Sequence, residues 1–224
     1  MVMSSFVSQL EALRTHLIVM GEKVSQMIKT AINSLVSGDG EQAKEVIASD
    51  KEINEMENLI VDKAINLIAT NQPVAGDLRF LASSLRLATE LERAGDLGTN
   101  LARRLIGLKS LSQEGTDSEP LPDKLISMCS KILNMYDKAI QSFVERNASI
   151  AEEVLLLDDE IDELLKVIRS DVLAKVTLNG RLVRWGLEII FAAIHLERLG
   201  DHATNLAEET IYMTKGKNVR HHHF

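Results

Sequence analysis

Two short stretches of the chain carry carboxylates at a spacing that can do chemistry. Glu92, Asp96 and Asn100 stand at i, i+4 and i+8, and Glu197, Asp201 and Asn205 repeat the pattern. On a helix this spacing stacks all three side chains on one face. Like charges at i and i+4 cost an isolated helix roughly 0.2–0.5 kcal/mol. A pair kept twice therefore asks for a cation, a metal or a basic partner, with Arg93 and Arg198 as candidate structural partners. Further acids precede each stretch. Asp50 and Glu57 interrupt the apolar series Val46, Ile53, Ile60, and Asp158 falls between Val154 and Ile161, with Asp162 one step on. A carboxylate buried without a partner takes up a proton, whereas a cation or hydrogen-bond donor keeps it charged.

Two oxygen-ligand groups follow from this placement. Asp50, Asn54, Glu92 and Asp96 form one, and Asp158, Asp162, Glu197 and Asp201 the other. Hard oxygens suit Mg, Mn, Ca or Fe ions. Glu57, Asn100, Asn205 and His202 are additional candidates. The competing reading leaves the acids solvated or bonded to Arg and Lys across a bundle, and leaves His202 at the surface or core edge. Glycines at 95 and 200 fit a crowded site or simple tight packing. The run His221–His223 is read as a tail rather than a ligand set.

The elements that must hold these groups are helices. Leu10, Leu13, Leu17, Met20, Val24, Met27 and Ala31 alternate steps of three and four, the seam of one helix packed on its neighbours. That helix ends near Ser37-Gly38-Asp39-Gly40, and a second seam, Val46 to Leu67, stops at Asn71-Gln72-Pro73. A third helix is expected over 78–108, then 123–146, 149–177 and 181–215, with Ser149 and Glu152 as a capping box. LERAGDLGTNLA from Leu91 and LERLGDHATNLA from Leu196 lie 196 − 91 = 105 residues apart, and Asp50 and Asp158 lie 158 − 50 = 108 apart. The expected fold class is therefore all-α, two tandem homologous three-helix bundles: 1–109, a Ser/Pro/Gly linker over 110–122, 123–216, and a tail over 217–224.

Composition narrows the function classes. Asp and Glu number 33 against 25 Lys and Arg, a formal charge of −8 that repels nucleic acid and anionic membranes. The longest apolar run, 189–194, is far short of the roughly 20 residues a spanning helix needs. Cys129 is the single cysteine, which excludes an internal disulfide and suits a cytoplasmic protein. No Gly-rich phosphate loop, GxSxG or HExxH is present, and no histidine follows a glutamate at the Glu-x-x-His spacing of di-iron carboxylate enzymes. A metal-dependent enzyme and a plain structural bundle stay as alternatives.

The doubled LER-x-GD-xx-xN pattern, QPVAGDLR from Gln72 to Arg79, and TKGKNVRH from Thr214 resemble the PhoU family of phosphate-uptake regulators. The resemblance spans nearly the whole chain. It implies two three-helix bundles side by side, multinuclear metal sites of iron, zinc, manganese or magnesium, and a cytoplasmic, homodimeric, non-enzymatic protein. Family members restrain phosphate uptake and the phosphate-starvation response, working with the ATPase subunit of the phosphate ABC importer and a sensor histidine kinase. The implied ligands are Glu92, Asp96, Glu197 and Asp201, with Asp50, Asp158 and Asp162. Asn54 departs from the pattern, because the second repeat has Asp162 there, so weaker cation binding is expected in the first repeat unless Glu57 restores the charge.

Overall fold

A computed structural model describes residues 5–219, so the His221–His223 run lies outside the described residues. The first repeat is α1 (Ser5–Ser37), α2 (Gly40–Asn71) and α3 (Ala75–Gln113). Its α1 seam is the one read from sequence: Leu13, Leu17, Met20 and Val24 are all fully buried. Asp39 starts α2 by accepting from the backbone N–H groups of Glu41 and Gln42, at 3.0 and 3.2 Å. Helix α3 runs past the expected end at 108 to Gln113, and Glu114 and Gly115 turn the chain into the rest of the linker.

The second repeat is α4 (Asp123–Val144), α5 (Ala148–Leu155), α6 (Asp158–Leu178), a 3-10 turn (Gly180–Leu182) and α7 (Val183–Lys215). Here the structure corrects the sequence reading twice. The helix expected over 149–177 is broken at Leu156-Leu157, where Leu157 N–H bonds Val154 O at 3.1 Å. Asp158, Asp159 and Glu160 then sit in the first turn of α6, where the helix dipole favours negative charge. The cap of α5 is Asn147, not the Ser149/Glu152 box. Asn147 accepts from Ser149 and Ile150 N–H, which places Ser149 inside the helix.

The repeats join along two seams, α3 against α7 and α1 against α4. Arg86 meets Glu209 at 3.0 Å and Arg104 meets Glu188 at 3.3 Å, so α3 and α7 run antiparallel. The linker is tied to the second repeat: the buried Trp185 indole donates to Glu119 O at 2.8 Å, and Arg184 pairs with Glu114. Cys129 is buried in the core, and burial pushes its thiol up to about 12, so it stays an inert thiol.

Candidate functional site

Each acidic group lies where one long helix passes a glycine of another. A Cβ built on Gly95 would stand 3.4 Å from Ile53 Cγ2 and 3.8 Å from Met27 Sδ. On Gly200 it would stand 3.4 Å from Ile132, and 3.7 Å from both Ile161 Cγ2 and Met135 Sδ. Ile53 and Ile161, like Met27 and Met135, are repeat mates. This close approach sets the acids of α2 beside those of α3, and the acids of α6 beside those of α7.

In the first repeat, burial raises the Glu92 carboxyl above its usual range, and Asp96, Glu57 and Asp50 push it further. Asp96 is raised in the same way, by burial, then by the Asp50 charge and a hydrogen bond with Asp50 that favours its protonated form. The Glu57 charge thus reaches both Glu92 and Asp96. Thr99 Oγ1 donates to Asp50 at 3.1 Å and Thr89 Oγ1 to Glu57 at 3.0 Å, two hydroxyls the sequence reading had passed over. Asn54 is half-buried on α2 near the group. The Asn100 carbonyl accepts from Arg103 at 2.9 Å, so it is already engaged.

The second repeat repeats the electrostatics more strongly. Asp158 is pushed up to about 6, by burial first and then by Asp201, Asp162 and Asp159. Burial and Asp162 raise Glu197, against the opposing charges of Arg198 and Arg169. Burial, Glu197 and Asp162 raise Asp201, against His202 and Arg198. The arginines expected as partners therefore soften the repulsion without cancelling it. Among the described residues, no three carboxylates, imidazoles or thiolates converge as a group that could hold a metal ion. The acids feel one another as two negatively charged faces, not as closed cages.

Two sequence candidates turn elsewhere. His202 Nδ1 lies 2.7 Å from Glu90 Oε2, and Asn205 Nδ2 donates to the same oxygen at 3.0 Å. Burial alone would raise Glu90, but the hydrogen bonds from His202 and Asn205 and the charges of His202 and Arg93 win, and its carboxyl titrates low. These three side chains bridge α3 to α7 and hold the repeats together. Glu90 was missed in the sequence because its repeat mate, at 90 + 105 = 195, is a histidine, so the doubled pattern does not flag it.

Fold and site together define a duplicated helical module, two repeats side by side with one acidic face each. The PhoU domain model matches residues 17–105 and 125–210, and the chain belongs to the PhoU family. A Pseudomonas aeruginosa relative named phosphate-specific transport system accessory protein PhoU homolog is 33% identical over 216 residues, covering 96% of this chain and 88% of its own. The Escherichia coli protein named phosphate-specific transport system accessory protein PhoU is 30% identical, with the same coverage of 96% and 88%. The crystal structure of PhoU from Pseudomonas aeruginosa superposes with a TM-score of 0.89 at 33% identity, over 95% of this chain and 100% of that one. The phosphate transport system regulatory protein PhoU from Streptococcus pneumoniae gives 0.84 at 26% identity, over 96% and 99%.

Proposed function

We propose that this chain is a negative regulator of phosphate uptake and of phosphate-starvation signalling, acting as a metal-binding adaptor rather than an enzyme. Its partners in this reading are the ATPase subunit of a phosphate ABC importer and a sensor histidine kinase, and it works in the cytoplasm as a homodimer. The names of its relatives, accessory proteins of phosphate-specific transport, support the transport half. No helix among the described residues is long and apolar enough to cross a membrane, so the chain would reach the importer through a partner.

The observation that carries the adaptor reading is the pair of repeat-equivalent faces whose carboxylates are raised by their own neighbours. Such a face binds cations or basic groups with a gain in free energy, because the cation relieves repulsion already present. Asp50, Asn54, Glu57, Glu92 and Asp96 would hold ions in the first repeat, and Asp158, Asp162, Glu197 and Asp201 in the second. The donor chemistry is all hard oxygen. The open arrangement favours ions that keep part of their water, magnesium and manganese, over a tetrahedral cage of the zinc kind. A bound ion would supply positive charge at the face and hold α2 to α3 and α6 to α7. Thr99 and Thr89 would keep Asp50 and Glu57 oriented by donating to them.

The test is phosphate uptake at ample external phosphate, in cells lacking the gene and in cells complemented with it. Unrestrained uptake in the deletion, restored by the wild-type chain but not by Glu197→Ala/Asp201→Ala, is the expected result. Uptake that does not change on deletion would remove the phosphate assignment.

A further inference from the structure

One cavity takes no part in the acidic faces. It lies at the end of the molecule where the starts of α1 and α3 meet the ends of α4 and α7. Its volume is about 520 Å³, inside the roughly 300–1,000 Å³ of small-molecule sites. Leu10, Phe80 and Phe143, buried residues of the core, line it together with Val7 and Met213. The walls are therefore largely apolar, and both repeats supply them.

Four charged residues also line the cavity, and three of them have a local use. Arg14 pairs with Glu11 at 2.6 Å, and its guanidinium lies 4.9 Å from the centre of the Phe80 ring. Asp77 stands in the first turn of α3, where the helix dipole favours an acid. Arg146 has no such use: its side chain has no hydrogen-bond or ion-pair partner among the described residues. Its backbone is left-handed, with φ 54°, a conformation that strains a residue with a Cβ. Its mate in the first repeat (146 − 108 = 38) is Gly38, with φ 73°. Each is followed by the cap of the next helix, Asn147 or Asp39. The turn suits glycine, yet the second repeat carries an unpartnered cation there. The other two groups are not repeated either. The mate of Arg14 (14 + 108 = 122) is Pro122, and that of Asp77 (77 + 105 = 182) is Leu182. Trp185, the mate of Phe80 (80 + 105 = 185), is buried and donates to Glu119 O of the linker at 2.8 Å. The charged lining belongs to one end of the molecule alone.

We propose that this cavity binds a small amphiphilic carboxylate, its apolar body against Leu10, Phe80 and Phe143 and its carboxylate on the Arg146 guanidinium. The inference goes beyond the regulator reading and does not rest on it. Charge complementarity selects the head group. Arg14 and Glu11 neutralise each other, which leaves Arg146 as the cation without a counter-charge, and a guanidinium takes a carboxylate through two parallel hydrogen bonds. The apolar walls select the body. A small inorganic anion would leave them uncovered and would meet the Asp77 and Glu11 charges with nothing to offset the repulsion. A ligand seated there touches both repeats, so its binding stabilises their docked arrangement.

Isothermal titration of the full chain in EDTA, with 3-phenylpropionate as the probe, reads the site directly. Binding with a dissociation constant below about 1 mM is expected, with a rise in melting temperature at saturation. The amine of the same shape, 3-phenylpropylamine, and inorganic phosphate are each expected to bind at least about tenfold more weakly. Arg146→Gly installs the residue that the first repeat uses at this turn, so the variant is expected to fold as wild type. It is expected to weaken 3-phenylpropionate about tenfold or more. Val7→Trp, which adds bulk at a half-exposed wall position, is expected to weaken it as well. No heat and no melting shift with about 10 mM 3-phenylpropionate would overturn the proposal. Equal binding of the amine or of inorganic phosphate, or undiminished binding by Arg146→Gly or Val7→Trp, would overturn it too. None of these outcomes depends on phosphate uptake, so failure here and failure of the regulator reading are distinguishable.

Discussion

Replacing Asp158 by asparagine should stabilise the ion-free protein at neutral pH, and the size of the gain follows from its surroundings. Its folded pKa of about 6 stands above the ordinary 3.8, because burial and the charges of Asp201, Asp162 and Asp159 disfavour the carboxylate. A shift of roughly 2 units corresponds to about 3 kcal/mol at 1.36 kcal/mol per unit. Asp158 is only half-buried, so solvent screening reduces this to about 1 kcal/mol. Against it stands the loss of one charge at the α6 N-terminus, worth about 0.5 kcal/mol, with Asp159 and Glu160 still there to serve the dipole. Repulsion wins, and the net gain of about 0.5 kcal/mol raises Tm by roughly 1–2 °C.

The pH dependence distinguishes this cause from a packing effect. A carboxyl with a raised folded pKa binds its proton more tightly in the folded chain than in the unfolded one. Its favourable contribution is complete below pH 3.8 and is lost as pH rises through about 6. The advantage of Asp158→Asn should therefore be small near pH 4 and fully developed at neutral pH. Urea unfolding in EDTA across that range measures it. Adding Mn should reverse the order, since ligand binding stabilises the folded state by about 2.7 kcal/mol at a hundred times the dissociation constant and the variant has lost a ligand. A variant less stable than wild type at neutral pH in EDTA would refute the repulsion argument, and with it the physical reason for cation binding at this face.

Three further outcomes follow from the same geometry. Glu90→Ala leaves His202 and Asn205 without their shared acceptor and should cost about 1–3 kcal/mol in urea unfolding at neutral pH. Because the Glu90 pKa is lowered, the penalty should fade as the solution is acidified through and below the ordinary 4.5, where wild type loses the same contribution. Gly186→Ala places a Cβ 2.7 Å from Val176 Cγ2 and 3.0 Å from Val172 Cγ1, so overpacking of about 1–3 kcal/mol should exceed the ~1 kcal/mol helical gain. Gly95→Ala, with its nearest contact at 3.4 Å, should be far milder, and thermal melts of the two variants compare them. Finally, isothermal titration with Mn should show the greater loss from Asp158→Asn/Asp201→Asn if the second repeat, with Asp162 in place of Asn54, is the tighter site; equal loss from Glu57→Gln/Asp96→Asn would refute the asymmetry.

Periodicity made the helices legible, because their seams are set by burial alone: Leu13, Leu17 and Met20 on α1, and Ile53, Ile60 and Ala64 on α2. Repetition did the same for the acidic faces, since a chemistry kept twice stands out against a surface of ordinary charges. The break at Leu156-Leu157 was not legible, because Leu155, Leu156 and Leu157 continue an apolar pattern and neither Gly nor Pro marks the stop. What fixes it is the acidic start Asp158-Asp159-Glu160, a signal that a single long seam conceals. The destinations of His202 and Asn205 depend on a residue 112 and 115 positions away, which no local pattern contains.

The seam between α3 and α7 shows why the two repeats diverged where they did. With α3 and α7 antiparallel, a position on α3 and its mate on α7 occupy equivalent places across the seam. Identical repeats would then set like against like in every contact that crosses it. Glu209 is the mate of Arg104 (209 − 105 = 104), Phe191 of Arg86 and His195 of Glu90. The ion pair of Arg86 with Glu209 at 3.0 Å thus has as its counterpart the Arg104 guanidinium 5.6 Å from the centre of the Phe191 ring. Had both repeats kept arginine at 86 and 191, Arg104 would face a second cation instead of an aromatic ring. Glu90 takes two donors at its place, whereas His195 at the equivalent place is held neutral, its pKa lowered to about 4 by burial and by Arg104 and Arg198. The acidic faces lie off this seam, each built within one repeat, so no such conflict separates them. Docking one repeat on the other required difference along α3–α7, while acids that lie off the seam could be kept alike in both repeats.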